Sequence, residues 1–417
     1  MDSKLELEYN INLASCTSDD ITALLKSLIP LFVEEVFSHI LIEFAQHYKL
    51  NNCLPHECSC GAHSSLKWAH IIGRKSTLKT QWTDIKIPQL QVQCTRCGEK
   101  KSMARPLLGM KPRCQTPQNL KDNVALFTSL MPFRVCSHVL KFTGTNMSKT
   151  QAWRCAQKVG QSIEFGLDEN GCKAGMADGT GVGIQGIKKR GQELKVFAQR
   201  KKNGGLHIAG VTIGKYDNEN NWRELFEPLQ QSFEKMGEFN LTLDGDCSII
   251  KAFDANINLS IQRCLWHIPH QFKHYLWQDK IKRKSSLWCK IMSRCLELIA
   301  LPRQIVDDPK IIDVMLKSKE EQYNNLILLL QENDCSACLA HLTNAYPNMF
   351  TNFRKRLKGK TTSLIERIMR TVNLRTNVGK WSSKGALNII KIRLAFYYNG
   401  FRPTLKYKQG MINGVYY

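Results

Sequence analysis

Residues 171–268 constrain the fold of this chain more than any other segment, because strand-like and helix-like patterns alternate there in a defined order. Three short strand-like runs come first, separated by glycine-rich or charged turns, and helix and strand patterns then alternate twice. The predicted elements are strands at 175–185, 194–199 and 206–214, a helix at 221–236, a strand at 240–243, a helix at 247–255 and a strand at 260–265.

This order predicts the topology of the sheet. Three strands in hairpin succession, followed by helix, strand, helix and strand, form the order of an RNase H-like sheet. The first three strands of such a sheet are antiparallel, and later strands are added in parallel through right-handed crossovers. We therefore predict an α/β fold with a mixed, RNase H-like sheet.

Two aspartates occupy matching positions on this predicted sheet. Asp178 lies within the first strand, and Asp244 lies at the carboxyl end of the fourth. These two strands are neighbours in the predicted topology, so their carboxylates can converge. Repulsion between them is tolerable if cations lie between them, and oxygen ligands suit Mg²⁺ or Mn²⁺. Two such ions, about 3.5–4 Å apart, activate the attacking oxygen and stabilise the leaving one in phosphoryl transfer.

A third carboxylate is predicted near the C-terminus. Residues 351–417 contain fifteen Lys or Arg and a single acidic residue, Glu366, within a helical pattern at 361–375. Glu366, Arg370 and Asn373 share the polar face of that helix, which Thr362 or Ser363 can cap. A simple ion pair of Glu366 with Arg370 is the alternative interpretation. Because two aspartates lie on the strands, we favour Glu366 as the third metal ligand.

Four sequence stretches carry a family resemblance. The chain resembles the DDE transposases of bacterial insertion elements, specifically the Mutator-like superfamily, over about residues 173–399. The resemblance implies an RNase H-like catalytic domain interrupted by an all-helical insertion, with Asp178, Asp244 and Glu366 as the catalytic triad of metal ligands for two Mg²⁺ or Mn²⁺ ions. The matching stretches are 176–179 (MADG), 241–245 (LTLDG), 262–268 (QRCLWHI) and 363–373 (SLIERIMRTVN), and WSSKGA at 381–386 is similar to the end of the catalytic helix region.

Three further residues near the second aspartate have more than one interpretation. Cys264 and His267 match the Cys-x-x-His signature that the resembled superfamily carries after its second aspartate. We favour a structural role for them beside the active site, over half of a zinc site or ordinary core packing. Asp246 is a possible further ligand, but the N-cap of the following helix is its better interpretation.

The cysteines between residues 51 and 115 indicate a small zinc module. Cys94 and Cys97 form a knuckle, and Cys58 with Cys60 is its most plausible partner across a strand hairpin. Four thiolates give a closed, tetrahedral, structural Zn²⁺ site. Because Cys-x-Cys is a tight spacing, Cys53 or His56 is an alternative ligand. Free thiols in a core are the other interpretation.

Two basic regions are predicted to contact DNA. Residues 116–170 suit a helix-turn-helix whose second helix, 148–164, begins at a Ser148 cap and presents Lys149 and Arg154. In the insertion, basic residues alternate with Tyr275, Trp277 and Trp288, which suits phosphate contact and stacking on unpaired bases. A solvated basic helix with core aromatics is the alternative. The other residues predicted to contact DNA, all C-terminal to Arg154, are Lys273, Lys282, Arg283, Lys284 and Arg370.

The charge of the chain supports an anionic partner. A formal net charge of +23 and a pI of 9.4 favour nucleic acid, with a merely solvated basic surface as the alternative. The apolar stretch 21–50 is interrupted by charges and predicts a pair of amphipathic helices rather than a membrane span. No signal peptide is expected from the first residues, and the sixteen cysteines indicate a reducing compartment. We expect a cytoplasmic, nucleoid-associated protein.

These features together predict a DNA transposase. It would bind the inverted-repeat ends of an element, cleave double-stranded DNA, transfer the freed strand to target DNA, and work as a homodimer or larger assembly. A non-catalytic, transposase-derived regulator and a nuclease that does not rejoin DNA are the alternatives. The predicted organisation is a helical segment at 1–50, a zinc-ribbon-like module at 51–115, a helix-turn-helix-like segment at 116–170, the first part of the catalytic domain at 171–268, the helical insertion at 269–360 and the closing part at 361–417.

Overall fold

The computed structural model describes residues 17–50, 58–61, 66–187, 192–216, 219–302, 306–357 and 361–402. The chain divides into two compact units, one containing the described residues up to Val159 and the other running from Gly160 to Arg402. Among the described residues, no helix has the length and apolar character needed to cross a membrane. The predicted ligands Cys53 and His56 lie outside the described residues.

The first unit combines an antiparallel three-stranded sheet, in the order β1-β2-β3, with helices on either side of it in the sequence. β1 and β2 form a long hairpin, and β3 adds a short edge strand. The elements are α1 (Ser18–Leu50), β1 (Leu66–Lys79), β2 (Asp84–Cys94), β3 (Lys100–Ser102), α2 (Ala104–Leu107), α3 (Gln118–Leu130), α4 (Phe133–Phe142) and α5 (Lys149–Ser162).

The predicted pair of N-terminal helices is wrong, because α1 is one continuous helix with Pro30 inside it. A proline removes one backbone donor without forbidding helix on both sides. The helix is also held by contacts outside itself, which sequence periodicity does not register. Glu34 Oε1 accepts a hydrogen bond from Lys75 Nζ at 2.7 Å, and Glu34 Oε2 accepts one from the Lys86 backbone N–H at 3.0 Å. Apolar residues of α1 join the core beneath β2.

The helix predicted at 148–164 is confirmed as α5, which begins one residue after Ser148, and the helix-turn-helix assignment of the segment stays a prediction. Ser148 Oγ accepts from the Gln151 N–H at 3.2 Å, and Gln151 Oε1 accepts from the Ser148 N–H at 3.0 Å. This reciprocal pair is a capping box. The turn before it packs against the hairpin, where Thr145 Oγ1 donates to the Thr80 carbonyl at 2.7 Å.

The second unit contains the predicted mixed sheet, with five strands in the order β6-β5-β4-β7-β8. β4, β5 and β6 are antiparallel, whereas β4 pairs with β7, and β7 with β8, in parallel. The α/β class and this strand order are therefore confirmed. The elements are β4 (Ala174–Gly181), β5 (Glu193–Arg200), β6 (Leu206–Gly214), α6 (Glu219–Phe226), a 3₁₀ turn (Glu227–Leu229), α7 (Gln230–Met236), β7 (Phe239–Leu243), α8 (Cys247–Lys251) and β8 (Leu259–Arg263).

Aromatic packing fixes one face of this sheet. Phe197 of β5 and Phe239 of β7 face a layer that includes Phe226, Phe233 and Phe253. The Phe226 and Phe253 rings stack with centroids 4.0 Å apart, and Phe233 meets Phe239 edge-on at 5.0 Å. Such ring pairs stabilise a core beyond the area they bury. Because this layer covers one face of the sheet, only the opposite face of β4 is available for packing of the helices at the C-terminal end of the second unit.

The region between β8 and the closing helices is helical where the structure describes it, as predicted. Its far end is attached to the sheet by buried amides. Asn240 Nδ2 donates to Asn352 Oδ1 at 2.7 Å, and Gln262 Oε1 accepts from the Asn352 N–H at 2.8 Å. The helices are α9 (His267–Gln278), α10 (Ser286–Ile299), α11 (Pro309–Glu332), α12 (Ser336–Ala345), a 3₁₀ turn (Tyr346–Asn348) and α13 (Thr351–Arg354).

Two closing helices return the chain to the sheet, α14 (Ser363–Thr376) and α15 (Ser383–Tyr398). Asn373 of α14 accepts a hydrogen bond at Oδ1 from Thr180 Oγ1 of β4, at 3.2 Å. After α15, the Asn399 amide group donates to and accepts from the Ile208 backbone of β6, with both distances 2.8 Å. These contacts place α14 against the strand that carries Asp178.

Candidate active site and cysteine centre

Asp178 lies on the central strand of the mixed sheet and is half-buried. Its Oδ1 accepts from the Gly179 N–H at 2.8 Å, and its strand pairs directly with β7, the strand that leads to Asp244. Burial raises the pKa of Asp178 to about 7, and the neighbouring Asp244 carboxylate adds to this rise. The two carboxylates are therefore near enough to interact electrostatically, and their predicted role as metal ligands stays a prediction.

A buried ion pair lies on the neighbouring strand β5, where Lys195 is in register with Gly179. Lys195 Nζ contacts Glu193 Oε2 at 2.6 Å, the Lys195 side chain has 0% exposure, and its ammonium lies 4.7 Å from the centre of the Trp222 ring. Gly179 allows this arrangement, because a Cβ there would lie 2.1 Å from Glu193 Oε1. The glycine after Asp178 is thus required by close approach of a charged side chain.

Asp244 follows the last residue of β7 and begins a tight turn. Its Oδ1 accepts from the Asp246 N–H at 3.0 Å. Gly245 has a φ of 109°, and a Cβ there would lie 0.7 Å from Nη1 of Arg263. The Arg263 guanidinium therefore covers this turn. Burial lowers the pKa of Arg263, and Asp244 partly offsets that effect.

Asp246 is the N-cap of α8, which confirms the interpretation that the sequence favoured over a metal ligand. Its Oδ1 accepts from the Ser248 N–H at 2.8 Å. An acceptor engaged with the first turn of a helix is less available to a metal ion.

Cys264 and His267 lie together where β8 passes into α9, and Thr362 joins them. The Thr362 N–H and Oγ1 both donate to Cys264 Sγ at 3.2 Å, and Thr362 Oγ1 lies 3.3 Å from His267 Nδ1. Burial opposes ionisation of Cys264, but hydrogen bonds from His267 and Thr362 lower its pKa. Asp178 and Asp244 help to raise the pKa of His267, after its hydrogen bond with Cys264. The Cys264 N–H also donates to the carbonyl of Leu243 at 2.8 Å, so the pair lies next to the turn that begins at Asp244.

The predicted capping role of Thr362 and Ser363 is wrong. Thr362 occupies the N-cap position of α14, but no side-chain hydrogen bond caps this helix. The Thr362 hydroxyl is engaged with Cys264 and His267 instead, which fixes the start of α14 beside them.

Glu366 lies one turn into α14, on the same helical stripe as Thr362 and Asn373. Those two residues contact the β8–α9 junction and β4, so the stripe faces the elements that carry the aspartates. Glu366 is half-buried, and its Oε1 is buried without a hydrogen-bond partner. Arg370 is exposed, and among the described residues Glu366 forms no ion pair with it. The ion-pair alternative for Glu366 is therefore not observed.

Carboxylate oxygens are the kind of ligand that hard divalent cations prefer. Glu366 Oε1 is buried without a hydrogen-bond partner, and the Asp244 carboxylate helps to raise the pKa of Asp178. Among the described residues, however, Asp178, Asp244 and Glu366 do not form one closed ligand group. Within the described part of the chain, only the four cysteines form a group of three or more His, Cys, Asp or Glu placed to hold a metal ion.

The cysteine centre brings together the four predicted thiols at the end of the β1–β2 hairpin. Cys58 Sγ lies 3.5 Å from Cys97 Sγ, Cys60 Sγ lies 3.9 Å from Cys94 Sγ, and all four sulfurs lie within 4.8 Å of one another. Tetrahedral Zn²⁺ with Zn–S distances of about 2.3 Å requires sulfurs about 3.8 Å apart. The four cysteines can therefore hold a metal ion such as zinc.

The predicted DNA-contacting residues are exposed. Lys149 and Arg154 lie on the open side of α5, and Arg370 on that of α14; Lys273, Lys282, Arg283 and Lys284 are exposed in and after α9. The aromatic residues divide into two groups. Tyr275 and Trp288 pack on the core of the helical region, whereas Trp277 is 72% exposed. Trp266, just before α9, is 52% exposed, and its ring lies 4.8 Å from the His270 ring at an interplanar angle of 50°.

Sequence reasoning missed Arg263 and the Glu193–Lys195 pair, and it predicted a helix cap for Thr362 rather than its contact with Cys264 and His267. Arg263 is the second residue of the stretch QRCLWHI, and Thr362 directly precedes the glutamate helix, so the position of each residue in or next to a matching stretch was an available signal. The ion pair has a weaker signal, since two charges at alternate positions of a strand ordinarily face solvent. Their burial depends on Trp222, which comes from a separate helix.

The chain was compared with known proteins. It matches no protein-family model, and no curated protein is significantly similar to it.

Proposed function

We propose that this protein is a DNA transposase of the Mutator-like kind, with an RNase H-like catalytic domain. One observation carries the proposal: Asp178 lies on β4, Asp244 directly follows the adjacent parallel strand β7, and the helix packed on β4 carries Glu366 with a buried, unpartnered carboxylate oxygen. The antiparallel-then-parallel strand order supports the RNase H-like topology.

Asp178, Asp244 and Glu366 would hold two Mg²⁺ or Mn²⁺ ions. When bound, such ions activate the attacking oxygen and stabilise the leaving oxygen of a phosphodiester. Arg263 supplies a cation that covers the Asp244 turn and can orient a phosphate by charge and hydrogen bonding. Thr362, Cys264 and His267 fix the start of the glutamate helix against the end of β8.

The basic surfaces would bind the DNA. The exposed Lys149 and Arg154 suit the inverted-repeat end of an element, while Trp277 and the lysines around α9 suit a phosphate chain with unpaired bases. The cysteine centre would hold a structural Zn²⁺ that stabilises the hairpin. Two DNA ends need two active sites, so the working form is a dimer or a larger assembly on DNA.

A nicking assay on DNA that carries the element end tests the proposal. With Mg²⁺ or Mn²⁺, the wild-type protein should nick this DNA and join the freed 3′ end to target DNA. Asp178→Asn, Asp244→Asn and Glu366→Gln should each reduce nicking by about 10²–10³-fold or more, the scale for losing a group that stabilises the transition state directly. DNA binding should be retained.

Asp246→Asn is the matched control, because asparagine caps a helix as well as aspartate does. It should retain nicking. Unchanged nicking by the Asp178→Asn protein would contradict the proposal. Absence of nicking with intact end binding would favour a transposase-derived regulator, and nicking without joined products would favour a nuclease.

A further inference from the structure

The first unit contains a polar groove beside the cysteine centre. It has a volume of about 780 Å³ and is bounded by β2, by β3 and by the turn that follows α2. Gln89 and Gln91 line it from β2, Lys100 and Ser102 from β3, and Arg113 from the turn. Ser102 pairs with Gln91 across the two strands, so the amide and hydroxyl groups lie side by side.

The groove is strongly cationic. Its lining contains Lys100, Lys101, Arg105 and Arg113 against a single acid, Glu99, which lies 3.7 Å from Lys101. Arg105 is engaged with the backbone, donating to the Cys114 carbonyl at 2.6 Å and to the Thr77 carbonyl at 3.1 Å. Lys100 and Arg113 are exposed and form no ion pair within the part of the chain that the structure describes.

The side chains in this groove match the two parts of a nucleic acid strand. Lysine and arginine bind phosphates and position the strand without reading its sequence. Glutamine side chains present both a donor and an acceptor, which is the pattern that base edges satisfy. Gln89 and Gln91 are partly exposed and available for such contacts. An acidic peptide would satisfy the cations but would leave the adjacent amides without matching base edges.

The cysteine centre determines where this groove lies. β3 begins three residues after Cys97 and is only three residues long. The Cys94 N–H donates to the Glu99 carbonyl at 2.9 Å, and the Gly98 N–H donates to the Cys94 carbonyl at 2.9 Å. A metal ion on the four thiols would therefore fix the knuckle, and with it the strand that carries Lys100 and Ser102.

We propose that this groove binds a nucleic acid strand, with Lys100 and Arg113 on phosphates and Gln89 and Gln91 on bases, and that a metal ion on the cysteine centre holds it open. The inference rests on the proposed function, which supplies DNA as the substrate, and it adds a contact site that is separate from the carboxylates.

Fluorescence anisotropy with the full-length protein tests this site. The probes are a fluorescein-labelled 20-nucleotide single strand and its duplex, titrated over a range of salt concentrations. Lys100→Glu combined with Arg113→Glu should weaken binding roughly tenfold or more and should reduce the salt slope by about 0.7 per lost single-strand phosphate contact. Gln89→Ala combined with Gln91→Ala should weaken binding and leave the salt slope unchanged.

Lys310→Glu combined with Lys317→Glu on α11 is the charge-matched control. This control protein should bind the strand at least tenfold more tightly than the Lys100→Glu, Arg113→Glu protein. Removing the metal with a chelator should lower the affinity of the wild-type protein for the strand, toward the affinity of the Lys100→Glu, Arg113→Glu protein. The chelator should have little effect on the affinity of that double variant. Circular dichroism checks that each variant is folded. Unchanged affinity and salt slope in the groove variant would overturn the inference, as would competition by poly-glutamate that is as strong as competition by the unlabelled strand.

The binding readout separates the two proposals. The Glu366→Gln protein should bind the strand as the wild type does, because the groove does not include the carboxylates. If nicking fails but the groove variants weaken binding, only the catalytic proposal falls. If nicking occurs and the groove variants bind normally, only the groove proposal falls.

Discussion

The two candidate metal-binding regions of this chain are assembled in opposite ways. The cysteine centre comes from two short segments at the end of one hairpin, and its sulfurs already lie within 4.8 Å of one another. The carboxylates come from β4, from the turn after β7 and from α14, with the whole helical region between the second and the third. Within the described residues they do not form a closed ligand group.

This difference reflects the chemistry of the ligands. Thiols are neutral until they bind a metal ion, so a fold can gather four of them without a large electrostatic penalty. Buried carboxylates repel one another and lose solvation, which is why the pKa of Asp178 rises to about 7. A closed thiolate site suits a structural ion, and an open oxygen site suits ions that must also contact a substrate.

Replacing one ligand should have opposite effects on stability in the two regions. Cys94→Ser should lower the free energy of unfolding of the zinc-loaded first unit by several kcal/mol. This loss is a part of the apparent binding free energy of structural zinc, which is about 10–16 kcal/mol. Asp178→Asn should raise the thermal midpoint of the metal-free protein above pH 7. A carboxyl group with a raised pKa stabilises the fold fully below its unfolded value, near 3.8, and loses that contribution as pH rises through about 7.

Thermal denaturation with and without zinc measures both effects. Cys114→Ser is the control, since Cys114 is a half-buried thiol outside the cysteine cluster. The expected opposite effects would be contradicted if the Cys94→Ser protein were as stable as the wild type, or if the Asp178→Asn protein were destabilised.

The carboxylate region should depend on a buried ion pair, whereas the surface pairs of the first unit should matter little. Lys195→Met removes a fully buried ammonium that faces Glu193, and the expected loss is about 3–5 kcal/mol. Combining it with Glu193→Gln should recover part of this loss, because the buried charge is then also removed. Urea denaturation measures the difference. Lys75→Met, which breaks an exposed pair with Glu34, should cost at most about 1 kcal/mol.

The second unit should also lose stability in mild acid through His341. Burial, and then the nearby Arg263, lowers the pKa of His341 to about 4. A depressed pKa means that the neutral ring stabilises the fold above the unfolded value near 6.5, and this contribution is lost as pH falls from 6.5 toward 4. His341→Phe retains an aromatic ring beside Phe272 and Tyr275. Its free energy of unfolding should therefore depend less on pH across this range; an equal dependence would exclude His341 as the cause.

The smallest expected effect concerns a purely local feature. Ser148→Ala removes one half of the capping box of α5 and should cost about 1 kcal/mol. Ser148→Asn retains a capping acceptor and should cost much less. Thermal denaturation compares the two. A loss of several kcal/mol in the alanine variant would mean that Ser148 supports more than its own helix.

Features that depend on neighbours in the sequence could be predicted from it. The five strands and their order followed from alternating patterns and short turns, and the Ser148 and Asp246 caps followed from residue type and position. The cysteine set followed from spacing, because one hairpin is enough to join its halves. The charge of +23 favours a polyanionic partner, and that partner stays a prediction.

Features that depend on contacts between distant segments required the tertiary structure. α1 continues through Pro30, and the Thr362 hydroxyl at the N-cap position of α14 donates to Cys264 instead of capping the helix, because partners elsewhere in the chain outweigh the local preference. Arg263 is held over Gly245 by the packing of two strands and a turn. The direction in which Glu366 faces was decided by where α14 lies on the sheet, and a helical period alone does not contain that information.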